Sequence, residues 1–290
     1  MKFETTIREP AEIADIGLHS GQKVNLRILP ARSGSGVRFV RTDLENFEIP
    51  ADWRHVAKVS YATSLMRKGV LLSTTEHLLS AIYACGIDNI RIEADNLEVP
   101  ILDGSALPFV ALLRTAGRKQ LRRHRRYIKI LRTVEVTVGE KRIRIDPADE
   151  FRVTCRTDYE HRLAGPDEVT ITVTSPVYER LIAPARTFGF EADLDTMRDM
   201  GLIRGATLKN AVCFGATDVL NPEGLRFPDE CCRHKVLDLI GDLALIGHPF
   251  LGHITVERGG HALHAAAVQK IMSDSSCYEE ITFAGRTTRA

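Results

Sequence analysis

The stretch from Arg226 to Gly247, R-F-P-D-E-C-C-R-H-K-V-L-D-L-I-G-D-L-A-L-I-G, constrains this chain more than any other. Its spacing predicts one amphipathic helix. Val236, Leu237, Ile240, Leu243 and Ile246 recur at helical spacing and make an apolar stripe suited to a core. Pro228 and Asp229 suit the start, since aspartate can cap free N–H groups and proline needs no amide donor there. Gly247 suits the end. Against the stripe stand His234, Asp238 and Asp242, each four residues from the last, so their side chains lie in one slanting row. An imidazole and a carboxylate four apart can reach one divalent metal without bending the backbone. They can equally form an ordinary helix ion pair beside a solvated aspartate, and this stretch alone leaves both readings open.

The chain has 290 residues and a net charge of +1. That length allows one large or two modest domains with real cores, and the charge gives no global pull toward nucleic acid or anionic membrane. No run approaches a membrane span, and Met1–Pro10 shows no apolar core or cleavage pattern, so no secretory peptide is expected. The six cysteines form no C-x-x-C pair, so reduced thiols of a cytoplasmic protein are expected rather than a disulfide frame.

Along the chain, Val24, Leu26 and Ile28 alternate as a strand. Before it, G-L-H-S-G (Gly17 to Gly21) places His19 on a tight loop, where a solvated histidine is the default. In S-T-T-E-H-L-L-S-A, Ser73 and Glu76 fit a capping box. A glutamate beside His77 could also hold a metal-bound water, but the cap is the simpler reading. Ile90, Ile92 and Ala94 alternate as a strand, and Asp103-Gly104 reads as a turn. Gly117 to Arg126 is basic and aperiodic, and reads as a domain linker; a basic run could also touch nucleic acid, but the lack of interleaved aromatics and of a charge excess elsewhere disfavours that reading. Period-two sets then run from Ile128 to Val173, followed by a short helix near Asp193–Met200, a strand at Ala211–Phe214, the long helix, a strand through Ile254 and Val256, and an Ala-rich helix after G-G-H-A-L-H. Strands before helices, twice, predict an α+β fold of two similar domains, residues 1–120 and 121–290.

Together these motifs resemble the bacterial UDP-3-O-acyl-N-acetylglucosamine deacetylases, zinc amidohydrolases of lipid A synthesis. The matching stretches are G-L-H-S-G, T-E-H-L (75–78), G-I-D-N (86–89), P-I-L-D-G-S-A (100–106), A-R-T-F-G-F (185–190), L-R-F-P-D-E (225–230), R-H-K-V-L-D-L-I-G-D-L (233–243) and G-H-A-L (260–263). The resemblance implies a site between two layered domains, with an insert near residues 187–215 forming an apolar passage for a fatty acyl chain. It implies His77, His234 and Asp238 as zinc ligands, an open-site set that iron(II) also accepts. It implies Glu76 as general base, Thr187 as oxyanion donor, and His261 as the imidazolium that stabilises the oxyanion and protonates the leaving amine. Asp242 would be the carboxylate partner of His261, and Lys235, Phe188 and His19 would contact substrate. The implied partner is an acylated UDP-sugar, with at most peripheral membrane contact and a monomeric chain.

Several positions depart from the family pattern. Ser60 and Ala62 replace larger side chains, Arg204 an apolar one and Ala206 a glycine, and these changes predict an altered acyl preference. His264 replaces an asparagine, which is expected to alter the hydrogen bonding around His261. His248, His253 and His264 inherit no role, and surface or packing positions are expected for them. Two other readings remain: a zinc amidohydrolase for a different N-acetylated substrate, and a non-catalytic acyl-nucleotide-binding relative, which would be expected to have lost the base or a ligand.

Overall fold

A computed structural model describes residues 1–57 and 60–283. The chain has an α+β fold built on two main sheets. The first is five-stranded, in the order Ala11–Ile16, Lys23–Pro30, Ile90–Ala94, Val37–Arg41, Phe47–Pro50. Its strands pair antiparallel, apart from the parallel contact between Val37–Arg41 and Ile90–Ala94. The alternation read at Val24, Leu26 and Ile28 is borne out, with all three buried in this sheet. The second sheet is seven-stranded and draws its strands from residues 126–282. Its centre is Phe250–Glu257, which pairs parallel with Phe151–Asp158 and antiparallel with Lys141–Asp146.

Among the described residues the α-helices are α1 (Glu76–Ala84), α2 (Leu107–Ala116), α3 (Ser175–Leu181), α4 (Leu194–Asp199), α5 (Glu230–Leu243) and α6 (His261–Ser273), beside short 3-10 turns and three two-stranded ribbons. The predicted central helix is α5. Val236, Leu237, Leu239 and Ile240 are fully buried, and each contributes about 1.5–3 kcal/mol of hydrophobic stabilisation. One continuous cluster of buried side chains runs from Val24 in the first sheet through α1 and α5 to Ile254 and Ile271. The two sheets are thus joined by shared packing, with α1 lying along α5.

Three local expectations are corrected. The stretch 117–126 contains a strand, Arg118–His124, antiparallel to Phe3–Ile7. It forms a two-stranded ribbon whose Arg118–His124 side chains are almost all exposed, so no apolar alternation is needed to hold it. The boundary drawn at residue 120 falls inside this strand. The Ser73–Glu76 capping box does not form. Helix α1 begins at Glu76, whose carboxylate accepts from the Thr63 amide at 3.1 Å, while Ser73 Oγ accepts from Ser64 Oγ. Asp229 makes no cap bond to α5 and accepts instead from Arg233 Nε at 2.6 Å. Gly247 does end the following 3-10 turn, with φ of 84°. Asp103 is the expected turn residue, accepting from both the amide and the hydroxyl of Ser105. All six cysteines are unpaired thiols.

Residues 188–214 form a small layer beside α5. Phe188–Phe190 pairs parallel with Val212–Phe214, and α4 lies between them in sequence. The loop after α4 returns to the 17–21 loop, where Arg204 N donates to the His19 carbonyl and Gly205 N to the Leu18 carbonyl. A Cβ at position 205 would lie 2.2 Å from the Gly17 carbonyl oxygen, so only glycine permits this approach.

Candidate active site

The site exists because α1 and α5 touch through backbone. A Cβ on Gly241 would lie 2.1 Å from the Glu76 carbonyl oxygen. With glycine there, the first turn of α1 settles between Asp238 and Asp242, and Glu76 and His77 face the row carried by α5.

On one side of this contact, His77 Nε2 and His234 Nε2 converge on Asp238 Oδ1, at 3.8 and 3.3 Å. The imidazole rings stand edge to face, with centroids 4.9 Å apart. His234 Nδ1 donates to the Ala185 carbonyl at 3.1 Å, which fixes the hydrogen on Nδ1 and turns the Nε2 lone pair inward. Asp238 Oδ1 is buried and has no hydrogen-bond partner, a costly state for a carboxylate oxygen unless a cation completes it. Ligands at about 2.1 Å from a tetrahedral ion stand about 3.4 Å apart, close to these separations. The donors therefore fit a divalent metal such as zinc. Burial pulls the His77 imidazole down to about 3, helped by the neighbouring His234, and burial likewise lowers His234; neutral imidazoles are the ligating form. Burial opposes the Asp238 charge, but His234 and Lys235 outweigh it and hold the carboxyl well below its ordinary value.

On the other side, Asp242 holds His261. His261 Nδ1 donates to Asp242 Oδ2 at 2.9 Å, and its Nε2 points at Glu76 Oε1, 3.7 Å away. Burial alone would lower the His261 pKa, but the Asp242 carboxylate raises it to about 10. Burial pushes the Glu76 carboxyl up to about 8, against the pull of His261.

Glu76, His77, His234, Asp238 and His261 all line one cavity of about 400 Å³, joined there by Thr187, Phe188, Lys235 and His19. Asp242 stands behind His261 rather than on the cavity wall. Lys235 donates to Asp238 Oδ2 at 2.8 Å and lies over the Phe188 ring. Away from the polar end the wall is apolar, with Met197, Ile203, Ala206, Leu208 and Val212 among its residues. Ser60 also lines the cavity; Ala62 is buried and Arg204 exposed, both off its wall.

Several supporting residues gave no readable signal in sequence. Thr63 donates its amide to Glu76 and its hydroxyl to Asp242. Glu98, buried, accepts from the amides of His19 and Ser20 and from Thr74 Oγ1, and so holds the His19 loop. Arg186 donates to Glu230 Oε1 through its amide and Nε, at 3.0 and 2.9 Å. This ties the segment carrying Thr187 to the start of α5, where a carboxylate also suits the helix dipole. His264 corrects the surface-or-packing expectation. It is buried and donates from Nδ1 to Asp242 Oδ2 at 2.8 Å. His248 and His253 lie off the cavity, as expected.

Comparison with known proteins gives the same direction. A family model described as LpxC: UDP-3-O-acyl N-acetylglycosamine deacetylase matches residues 4–273. A protein of Solibacter usitatus named UDP-3-O-acyl-N-acetylglucosamine deacetylase is 60% identical over 293 residues, covering 100% of this chain and 99% of its own length. Proteins with the same name from Myxococcus xanthus and Neisseria gonorrhoeae are 44% and 40% identical. The alignments cover 95% and 97% of this chain, and 88% and 94% of those proteins. The chain belongs to the UDP-3-O-acyl-N-acetylglucosamine deacetylase family.

Proposed function

We propose that this protein hydrolyses the N-acetyl group of UDP-3-O-acyl-N-acetylglucosamine, releasing acetate, as an early step of lipid A biosynthesis. The observation that carries this reading is the buried His77, His234 and Asp238 donor set, flanked by Glu76 and His261 at the polar end of an otherwise apolar cavity. The apolar wall suits a fatty acyl chain, and the family's name supplies the substrate class.

In this reading, zinc or iron(II) held by His77, His234 and Asp238 supplies a Lewis acid that polarises the acetamide carbonyl, acidifies water and keeps Glu76 ionised. Glu76 accepts a proton from the water that attacks the acetyl carbon. The Thr187 hydroxyl donates to the oxygen that gains charge. The His261 imidazolium stabilises that charge, and its Nε2 proton passes to the leaving nitrogen as the C–N bond breaks. The products are acetate and the free amine. Asp242 orients the His261 ring and favours its cationic form. Lys235, Phe188 and His19 contact the substrate's sugar and diphosphate. The same reading has two α+β domains, the first running through the Arg118–His124 strand that pairs with Phe3–Ile7 and the second following it, an acyl-passage insert near 187–215, and a monomer acting in the cytoplasm. No helix among the described residues is long and apolar enough to cross a membrane.

The test is metal content together with acetate release from acylated UDP-N-acetylglucosamine, in wild type and Glu76→Ala. One bound metal, wild-type turnover, and a loss of kcat on the order of 10²–10⁴-fold in a variant that keeps its metal are expected. Bound metal without acetate release at any acyl length would sink the substrate assignment.

A further inference from the structure

We propose that His264 is a positioning residue for this reaction: by donating to Asp242 it locks the carboxylate that aims the His261 ring. The inference rests on the deacetylase reading above, and adds a residue that the reading does not use.

The argument starts from one carboxylate. Asp242 Oδ1 accepts from the Thr63 hydroxyl. Its Oδ2 accepts from two imidazoles, His261 Nδ1 at 2.9 Å and His264 Nδ1 at 2.8 Å. An ionised carboxylate has no proton to give, so both imidazoles donate, and each carries its hydrogen on Nδ1. His261 and His264 stand three residues apart at the start of α6, so their rings rise from one face of the helix. Their centroids are 6.3 Å apart and their planes nearly perpendicular.

His264 is not a comfortable packing residue. It is 1% exposed, and its Nε2 is buried with no hydrogen-bond partner. A Cβ at Gly259 would lie 3.0 Å from that nitrogen, so the preceding turn leaves it no more room than a glycine gives. A hydrocarbon side chain would fill the space without stranding a polar atom. What the imidazole offers in return is its Nδ1–H, aimed at Asp242.

That donor matters because Asp242, though buried, borders open space. Asp242 and His261 line a second cavity of about 650 Å³, bounded by Trp53, Ala262 and Ala265 and by none of the apolar-wall residues. Without His264, water entering there can take the free position on Oδ2. The carboxylate then keeps only Thr63 and His261 as protein donors, so it can turn further and the aim of His261 at Glu76 loosens. A carboxylate held by three donors cannot turn without breaking at least one of them.

The experiment compares His264→Leu and His264→Asn with wild type, each loaded with zinc. Asparagine places an amide N–H near the Nδ1 position; leucine has the bulk without the donor. Acetate release gives kcat and KM. The Nδ1–H proton of His261, observed by NMR in 15N-histidine-labelled protein, reports the ring's aim apart from turnover. In His264→Leu, kcat is expected to fall about tenfold or more, with KM and metal content unchanged and the His261 proton lost to exchange. His264→Asn is expected to recover most of both. A His264→Leu enzyme with wild-type kcat overturns the proposal. So does one that loses kcat while the His261 proton persists, since the role would then be structural. If leucine prevents folding, His264→Asn and His264→Gln carry the comparison, and equal losses in both overturn it. A wild type that releases no acetate defeats the deacetylase reading instead, and the His261 proton alone then decides this inference.

Discussion

Asp238 and Asp242 sit one turn apart on the same helix, equally buried, and each faces histidine. Their surroundings differ in one respect. Asp242 has donors on both oxygens, from Thr63, His261 and His264. Asp238 receives Lys235 on one oxygen, while the other, facing two imidazole Nε2 atoms, has no partner. The tautomers differ accordingly. His234 sends its Nδ1–H away to a backbone carbonyl and presents a lone pair, whereas His261 and His264 present N–H. A carboxylate short of donors among lone pairs is the arrangement that a cation would complete. A carboxylate saturated by donors holds a ring in place. In sequence both aspartates stand in one row of α5, Asp238 four residues after His234 and Asp242 four after Asp238; the histidine atoms that face them separate the two.

The widest break comes from removing each carboxylate. Asp238→Ala should lose bound metal and reduce acetate release to background, and chelation of the wild type should do the same reversibly on zinc return. Metal analysis beside an acetate assay checks it; a variant that keeps one metal per chain would refute the donor assignment. Asp242→Asn should keep its metal and its KM yet lose kcat on the order of 10²-fold, the scale of proton-transfer assistance. If both variants lose metal alike, the two aspartates share one role and the contrast fails.

The shared contact gives an intermediate effect. Gly241→Ala drives a methyl into the Glu76 carbonyl oxygen, 2.1 Å from the ideal Cβ. Overpacking of this kind costs about 1–3 kcal/mol, visible as a lower urea midpoint. Because α1 carries both Glu76 and His77, metal affinity and kcat should fall together, unlike in either aspartate variant. An unchanged midpoint would mean that the helices separate without strain, and that the backbone contact does not set the site.

How much of this was legible depended on whether a residue's role was local. The stripe of α5 and the alternation at Val24–Ile28 were readable because period alone sets which side chains are buried. The proposed metal donors were named through motif resemblance, and the fold brings His77, His234 and Asp238 together. The 118–124 ribbon was not, because a strand exposed on both faces has no apolar period. The Ser73–Glu76 cap was misread for a related reason: the carboxylate found a buried partner from residue 63, which no local pattern announces. Thr63, Glu98 and the Asp242 donor His264 act across long stretches of chain, so their meaning is fixed only once the fold brings the partners together.

The smallest effect tests the apolar end independently of the two carboxylates. Ala206 is on the cavity wall, and a methyl there shortens the space open to an acyl chain. Arg204, which stands where an apolar residue is usual, is exposed and contributes its amide to the His19 carbonyl, so of these two neighbours only Ala206 bears on the acyl preference. Ala206→Gly should therefore favour longer chains. One methylene is worth about 0.8 kcal/mol, so kcat/KM should shift about fourfold toward the longer of two neighbouring substrates, with metal content and the Glu76→Ala loss unchanged. Turnover across graded acyl lengths measures it. An optimum that does not move would remove Ala206 from the ruler and leave the wall formed by Met197, Ile203 and Leu208 to set the length.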